Sequence, residues 1–250
     1  MDLGLSDRVY VVTRAAGGVG RACAEQLVGE GARLVLTAPQ SEELKATAAH
    51  LGGPERAIAL PGDISDPGLE TCLVAAAVAR YGRIDGALIT MEDLDDGTTM
   101  NVDDGTWRLS FESAFLGPLR LCRAIGTHAS LEGASIAIVL SPSVHEPIPG
   151  RALANGLAPA LAMTAKSLAD ELGPRNIRIN SVLPGSPRQN AASSDGSDQF
   201  ESQEREVLAP LRRRGELLEL ARPAVFLLSP AASYVTGSAL VVDGGSARRL

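Results

Sequence analysis

The chain has 250 residues, of which 45% are hydrophobic and 21% charged, with a formal net charge of -7. This composition is typical of a globular protein and predicts one α/β domain over residues 1–250. The negative charge argues against a nucleic-acid partner, which requires a basic surface. No segment reaches the roughly 18 apolar residues of a membrane span, and the first residues lack a secretory signal pattern. We therefore expect a cytoplasmic protein without nucleic-acid or membrane partners.

Short apolar runs alternate with longer helical patterns along the chain. The predicted strands cover residues 9–13, 33–37, 57–60, 84–90, 135–141, 178–183 and 239–242. The predicted helices cover residues 19–29, 41–51, 67–81, 104–127 and 217–228, with a further helix ending near residue 173. Strands that are apolar almost throughout indicate a doubly wound, Rossmann-like parallel sheet with helices on both faces. Residues 186–202 are polar and aperiodic, which predicts a flexible lid loop over the ligand crevice.

Four motifs occur in the order found in one protein family. Residues 13–20 match the pattern Thr-Gly-x-x-x-Gly-x-Gly except at Arg14, and residues 62–66 contain an aspartate motif. Residues 177–185 form an apolar strand that ends in Pro-Gly, and the C-terminal signature occupies residues 234–237 and 241–245. Over nearly its whole length the chain resembles the classical branch of the short-chain dehydrogenase/reductase family. The resemblance implies a dinucleotide-binding fold built for hydride transfer.

Hydride transfer in that family uses a Tyr, a Lys, a Ser and an Asn. The resemblance places Ser141 at the Ser position, but it places Ala154, Ala158 and Ala114 where the Tyr, the Lys and the Asn would stand. No Tyr lies between residues 81 and 234, and Lys166 lies two helical turns beyond the required place. The chain is therefore interpreted as a degenerate member of the family that lacks the catalytic Asn, Tyr and Lys.

The helix that would carry the Tyr and the Lys has unusual residues near its start. Asn155 and Gly156 favour a turn, and Pro159 fits best near a first helical position. We therefore expect this segment not to be a regular helix.

The cofactor site is also predicted to be damaged. Gly18, Gly20 and Asp63 match the family's dinucleotide-binding positions and are interpreted as vestigial. Arg14 replaces the first glycine of the turn, where it either pairs with a phosphate or, more simply, fills the space. Glu92 replaces a small residue beside the cofactor, and carboxylates repel phosphates. We expect no cofactor to bind tightly, and NAD(P) if any binds.

The remaining polar residues give little indication of a catalytic or metal site. Ser141 closes a strand, where a Ser is more often a turn residue. His145 and Glu146 follow it, but the chain has no Gly-x-Ser-x-Gly elbow, so His145 is interpreted as a loop histidine. The cysteines lie inside apolar helical patterns without the spacing of metal ligands, which predicts buried thiols and no metal site; they are Cys23, Cys72 and Cys122.

Three functions compete. The favoured one is a non-catalytic pseudoenzyme subunit that pairs with a catalytically complete paralogue in a hetero-oligomeric dehydrogenase, or that forms a homo-oligomer, through the apolar helices around Phe115 and Leu161. The isolated chain would then not be an enzyme. The second is a non-redox lyase, cyclase or isomerase that recruits Ser141, Glu92 or His145. The third is an NAD(P)-dependent oxidoreductase that takes its proton from water or from the substrate. A ligand sensor is a minor fourth.

Overall fold

The computed structural model describes residues 2–130, 132–185 and 209–247. Its strands are β1 (Val9–Thr13), β2 (Arg33–Thr37), β3 (Ala57–Ala59), β4 (Gly86–Thr90), β5 (Ala134–Val139), β6 (Ile177–Pro184) and β7 (Ala239–Val242). Its helices are α1 (Gly18–Gly29), α2 (Ser41–His50), α3 (Leu69–Tyr81), α4 (Asp104–Phe111), α5 (Gly117–His128), α6 (Ala152–Leu172) and α7 (Leu217–Leu228). One π-helical turn joins α4 to α5, so the predicted long helix forms with a local bulge. The lid loop predicted at residues 186–202 lies outside the described residues.

The strands form one parallel sheet in the order β3-β2-β1-β4-β5-β6-β7, which confirms the doubly wound architecture. The order reverses between β1 and β4, and doubly wound sheets bind their ligands at such a reversal, outside the carboxyl ends of the strands. Side chains of β1 alternate between the two buried cores. Val9 and Val11 pack into the core on one face, whereas Tyr10 and Val12 pack into the core on the other. The sheet is therefore covered on both faces, as its apolar strands predict.

The expectation that α6 begins irregularly is wrong. The helix is continuous from residue 152 to residue 172, and Pro159 lies inside it. Asn155 does not form a turn, because its side-chain amide pairs with the backbone N–H and C=O of Ile148 at 2.9 Å and 2.8 Å. Gly156 is required by packing, since a Cβ there would lie 2.9 Å from the Trp107 ring. Tertiary contacts thus account for residues that look locally like helix breakers.

The prediction of buried thiols holds for two cysteines. Cys23 and Cys122 are buried, and burial raises the pKa of each thiol to about 12. Cys72 is exposed, which corrects the prediction for that residue. Although the pattern of α3 is apolar, its buried face is formed by Leu73, Val74 and Ala77, so that Cys72 faces away from the core.

The described ranges lack two kinds of site that would imply a membrane or a metal. No helix within residues 2–130, 132–185 and 209–247 is long and apolar enough to cross a membrane. In the same ranges, no three His, Cys, Asp or Glu residues are grouped so that they could hold a metal ion.

Candidate active site

The turn between β1 and α1 leaves open space at the amino end of the helix. Gly17 is the residue before the first helical residue, and Gly18 adopts a left-handed φ of +54°. A Cβ on either residue would meet no atom within 4 Å. The first N–H groups of a helix have no intrahelical acceptor, and together with the helix dipole they bind anions. The residues present therefore fit a dinucleotide pyrophosphate.

Gly20 has a different role in the same turn. A Cβ on Gly20 would lie 2.5 Å from the carbonyl oxygen of Arg14 and 2.6 Å from that of Thr13. Only a residue without a side chain allows α1 to pack this closely against the end of β1. Gly20 therefore fixes the helix whose amino end faces the crevice.

Arg14 spans the crevice at the point where the strand order reverses. It follows β1 and forms ion pairs with two carboxylates after β4, at 3.3 Å to Asp93 and 3.9 Å to Glu92. Its backbone adopts a left-handed φ of +53°, which suits the glycine that the family motif carries there. Arg14 therefore does more than fill the space, and the alternative that it pairs with a phosphate stays open. Its one positive charge is shared by two carboxylates, so it offsets only part of the repulsion predicted from Glu92.

Asp63 lies in the turn after β3, near the end of β2. Its Oδ1 accepts hydrogen bonds from the Ser65 backbone N–H at 2.8 Å and from the Ser65 hydroxyl at 2.7 Å. The backbone N–H of Gly62 donates to the carbonyl of Ala38, which follows β2. Asp63 therefore shapes the turn after β3, and its role in binding a cofactor stays a prediction.

Ser141 caps a short 3₁₀ turn, Pro142–Val144, after β5. The Ser143 N–H donates to Ser141 Oγ at 3.2 Å. The Ser143 hydroxyl lies 2.8 Å from Ser141 Oγ and 2.9 Å from the carbonyl oxygen of Ala154. It has one proton and can donate to only one of these two oxygens at a time. The structure thus brings Ser141 and Ala154 together through Ser143, a residue that sequence reasoning missed although the Ser-Pro-Ser spacing is visible.

The positions predicted for the Asn, the Tyr and the Lys are packed with apolar side chains. Ala114, Ala154 and Ala158 are all buried and share one core. Met91 and Leu94, from the segment after β4, are buried in the same core. The assignment of the three alanines to catalytic positions stays a prediction. No ionisable group occupies any of these positions.

The segment after β4, residues 91–97, is held at its far end by the start of α6. Asp96 forms an ion pair with Arg151 at 2.8 Å. The Gly97 N–H donates to the carbonyl of Gly150 at 2.6 Å, and the Ala152 N–H donates to the carbonyl of Gly97 at 3.0 Å. Residues 91–97 are thus fastened to α6 on one side and to Arg14 on the other. We call this segment the crossing segment.

His145 is not assembled with Ser141 into a Ser-His-acid arrangement. The hydroxyl of Ser141 is hydrogen-bonded to Ser143, and the backbone N–H of His145 donates to the carbonyl of Pro142 at 3.2 Å. Within the described residues, the structure shows no hydrogen bond between the His145 ring and Ser141. This geometry fits the interpretation of His145 as a loop histidine.

The chain is similar to several known proteins along its whole length. A family model described as enoyl-(acyl carrier protein) reductase matches residues 15–247. The chain is 30% identical to human dehydrogenase/reductase SDR family member 4, over 98% of this chain and 90% of the relative. It is 32% identical to L-rhamnose 1-dehydrogenase (NAD(P)(+)) of Azotobacter vinelandii, over 96% and 97%. L-Sorbose reductase from Gluconobacter frateurii, solved with NADPH and L-sorbose, superposes over 100% of both chains, with a TM-score of 0.91 and 29% identity.

These similarities overturn the expectations about activity and cofactor. The prediction of a pseudoenzyme subunit that is not itself an enzyme is wrong, since relatives over the full length are named dehydrogenases and reductases. The prediction that no cofactor binds tightly is also wrong, because a neighbour that superposes over the whole chain is complexed with NADPH. The open space at the amino end of α1 agrees with this correction, because the free N–H groups of a helix end can bind a phosphate. The sheet order, the glycine turn and the full-length similarities establish that this chain belongs to the classical short-chain dehydrogenase/reductase family.

Proposed function

We propose that the chain is an NAD(P)-dependent oxidoreductase that interconverts an alcohol and a carbonyl group on a small polyhydroxylated substrate. The observation that carries the proposal is the open amino end of α1, at the reversal of strand order. Two similar proteins, named L-rhamnose 1-dehydrogenase and L-sorbose reductase, support a sugar or a related polyol as the substrate.

The chain's own residues have separate tasks in this reaction. The backbone N–H groups at Gly18 and the following residues would receive the cofactor's pyrophosphate, and Asp63 would lie toward the adenine end. When bound, the nicotinamide supplies or accepts the hydride. Met91 and Leu94 are buried in the core that they share with Ala154 and Ala158, so they keep water away from these positions.

The proton in this reaction comes from water or from the substrate. Reducing a carbonyl adds one hydride to carbon and one proton to oxygen, and oxidation removes both. Ala154 and Ala158 have no group that exchanges a proton. Ser141 can hold the substrate oxygen by donating its own hydroxyl proton, because its oxygen is the acceptor in both of its hydrogen bonds to Ser143. We therefore expect the rate to lack the pH dependence that an ionising Tyr at position 154 would impose.

The test measures nucleotide binding first and substrate turnover second. Titration of the purified protein with NADH and NADPH should show binding of at least one. Turnover is then followed by reduced-nicotinamide absorbance with L-rhamnose, L-sorbose and related polyols. Ser141→Ala should lower kcat/KM without changing the affinity for the nucleotide. The proposal is wrong if neither nucleotide binds at millimolar concentration, or if the bound nucleotide is never oxidised or reduced.

We also propose that the chain forms a homo-oligomer through the exposed apolar face of α4 and α6. Leu109 and Met163 are 74% and 72% exposed, and Phe111 is 39% exposed. Such a set of large apolar side chains marks an association surface. Leu161, expected in this surface, is 1% exposed and belongs to the core, so the surface that includes Met163 lies on nearly the opposite side of α6.

Native mass spectrometry of the wild type and of two matched variants tests this assembly. Met163→Glu should shift the oligomer toward monomer, whereas Met100→Glu, at a 91% exposed site outside this face, should not. A monomeric wild type would refute the proposal. We further propose a cytoplasmic location, which the three free thiols support.

A further inference from the structure

Arg14 is placed where a dinucleotide would lie. The carbonyl oxygen of Arg14 lies 2.5 Å from the position that a Cβ on Gly20 would occupy, so Arg14 adjoins the first turn of α1. Its guanidinium lies across the strand reversal, on the carboxylates of Glu92 and Asp93. A cation therefore stands between the anion-binding helix end and the crossing segment.

Resting on the proposed oxidoreductase function, we propose that Arg14 is a phosphate-binding residue of the cofactor site. In the protein without cofactor, Glu92 and Asp93 hold its guanidinium across the crevice. On binding, the guanidinium exchanges these carboxylates for a phosphate of the dinucleotide.

The exchange is favoured because the carboxylate pairs are weak. The Asp93 side chain is 83% exposed, the Glu92 side chain is 36% exposed, and the Glu92 distance is 3.9 Å. Exposed pairs of this kind contribute little to stability. A guanidinium donates two parallel hydrogen bonds to a phosphate, and the nearby N–H groups of α1 share the same anion. The phosphate is therefore the stronger partner.

The backbone of Arg14 and the side chain of Thr90 support a ligand at this place. A non-glycine residue in the left-handed region is strained, and such residues cluster at ligand-binding sites. The hydroxyl of Thr90, at the end of β4, is buried and has no hydrogen-bond partner within the described residues. Its backbone N–H donates to the Thr13 hydroxyl at 2.8 Å, which ties it to the residue before Arg14. An unpaired buried hydroxyl beside a strained cation indicates a crevice lined for a polar ligand.

The exchange does not require the crossing segment to unfold. Asp96 and Gly97 remain fastened to α6 through Arg151 and the backbone of residues 150–152. Only the end of the segment nearest Arg14 has to release its contacts. The movement is therefore confined to two exposed ion pairs.

The experiment measures the dissociation constants of NADH and NADPH by nicotinamide fluorescence. Arg14→Gln should weaken binding by about threefold to tenfold, the range of one ordinary hydrogen bond, because partial exposure screens the charge of the guanidinium. Arg14→Gly should weaken it as well, and it also removes the left-handed strain, so that misfolding cannot explain the loss. Glu92→Gln with Asp93→Asn should tighten binding by a similar factor. Asp95→Asn is the matched control, since it removes one charge from the same segment at a carboxylate that forms no ion pair with Arg14 in the described part of the chain.

A double-mutant cycle separates exchange from simple repulsion. In the Arg14→Gln background, the gain from Glu92→Gln with Asp93→Asn should shrink, because no guanidinium is left to release. An equal gain in both backgrounds, or tighter binding by either Arg14 variant, would overturn the role of Arg14 while leaving the proposed function standing. Absence of binding in the wild type and in every variant would instead remove the proposed function, and this inference with it.

Discussion

Gly20 should be the glycine of the first turn on which the fold depends most. In Gly20→Ala, the new Cβ would lie 2.5 Å from one backbone carbonyl oxygen and 2.6 Å from another, whereas real Cβ contacts essentially never fall under 3.0 Å. Because both oxygens are backbone atoms, α1 must withdraw by about 0.5 Å from the sheet. Overpacking of this kind costs about 2–3 kcal/mol, and the better helix propensity of Ala returns about 1 kcal/mol. We expect a net loss of about 1–2 kcal/mol in the free energy of unfolding.

Gly17 and Gly18 provide matched controls in the same turn. Gly18→Ala meets no atom within 4 Å but keeps a φ of +54°, which costs about 1 kcal/mol for a residue with a Cβ. Gly17→Ala has neither problem, since its φ of -165° is extended backbone and its surroundings are open. Gly17 is the N-cap residue of α1, where Ala is less favourable than Gly, so its effect should be about 0.5 kcal/mol. The three variants therefore separate the cost of a steric contact at Gly20 from the cost of backbone strain at Gly18, with Gly17 as the site that has neither.

Urea denaturation of each variant gives its free energy of unfolding and its m-value, and these values show how much each substitution destabilises the fold. The expected order of destabilisation is Gly20→Ala, then Gly18→Ala, then Gly17→Ala, with unchanged m-values. The reasoning would be refuted if Gly20→Ala unfolded within about 0.5 kcal/mol of the wild type, which is the ordinary scatter of surface substitutions. It would equally fail if Gly17→Ala cost as much as Gly20→Ala.

Three further predictions concern other parts of the fold. Iodoacetamide at about pH 8 should label Cys72 and leave Cys23 and Cys122 unmodified, because burial raises the pKa of those two thiols to about 12. Mass spectrometry of protein labelled in its native state identifies the modified cysteines. Asp85→Ala should cost about 3 kcal/mol by denaturation, since this buried carboxylate accepts from two arginines and from a backbone N–H of β1, and an unchanged midpoint would contradict this. Ala158→Lys should lower Tm strongly, because it places an ammonium group at a side chain that is 0% exposed, and Ala158→Met is its uncharged control.

The strands and the order of the elements could be predicted from the sequence. Apolar runs such as residues 9–13 and 33–37 are buried on both faces of the sheet, and they are strands with the predicted bounds. The motif at residues 13–20 predicts a glycine turn between a strand and a helix, and the structure has this turn between β1 and α1. The strand predicted at 135–141 ends earlier, at Val139, since Ser141 caps the next turn.

Two errors arose where residues distant in the chain meet. Arg14 and Asp93 are 79 positions apart, and they form an ion pair only because β1 and β4 are neighbours. The sequence alone does not show this pair, so a prediction from sequence overestimates the repulsion between these carboxylates and a cofactor. In α6, Asn155 and Gly156 were interpreted by their local preference, although one bonds to Ile148 and the other makes room for Trp107. Local propensity gave way to tertiary contact in both helix positions.

The two halves of the crevice have changed in different ways, and this difference bears on the chemistry. At the cofactor half, the departures Arg14 and Glu92 are both charged and form an ion pair, so a positive group stands where the dinucleotide phosphates are proposed to bind. At the positions predicted for the Tyr and the Lys, Ala154 and Ala158 share a core with Met91, so no side chain there can exchange a proton. Hydride transfer depends on holding the cofactor and the substrate close together, which a shaped apolar crevice can do. Proton transfer can be left to water, at the cost of the factor that a positioned acid contributes, about 10²–10⁴ in rate. A chain with this division should therefore keep its nucleotide affinity and its substrate selectivity while turning over slowly.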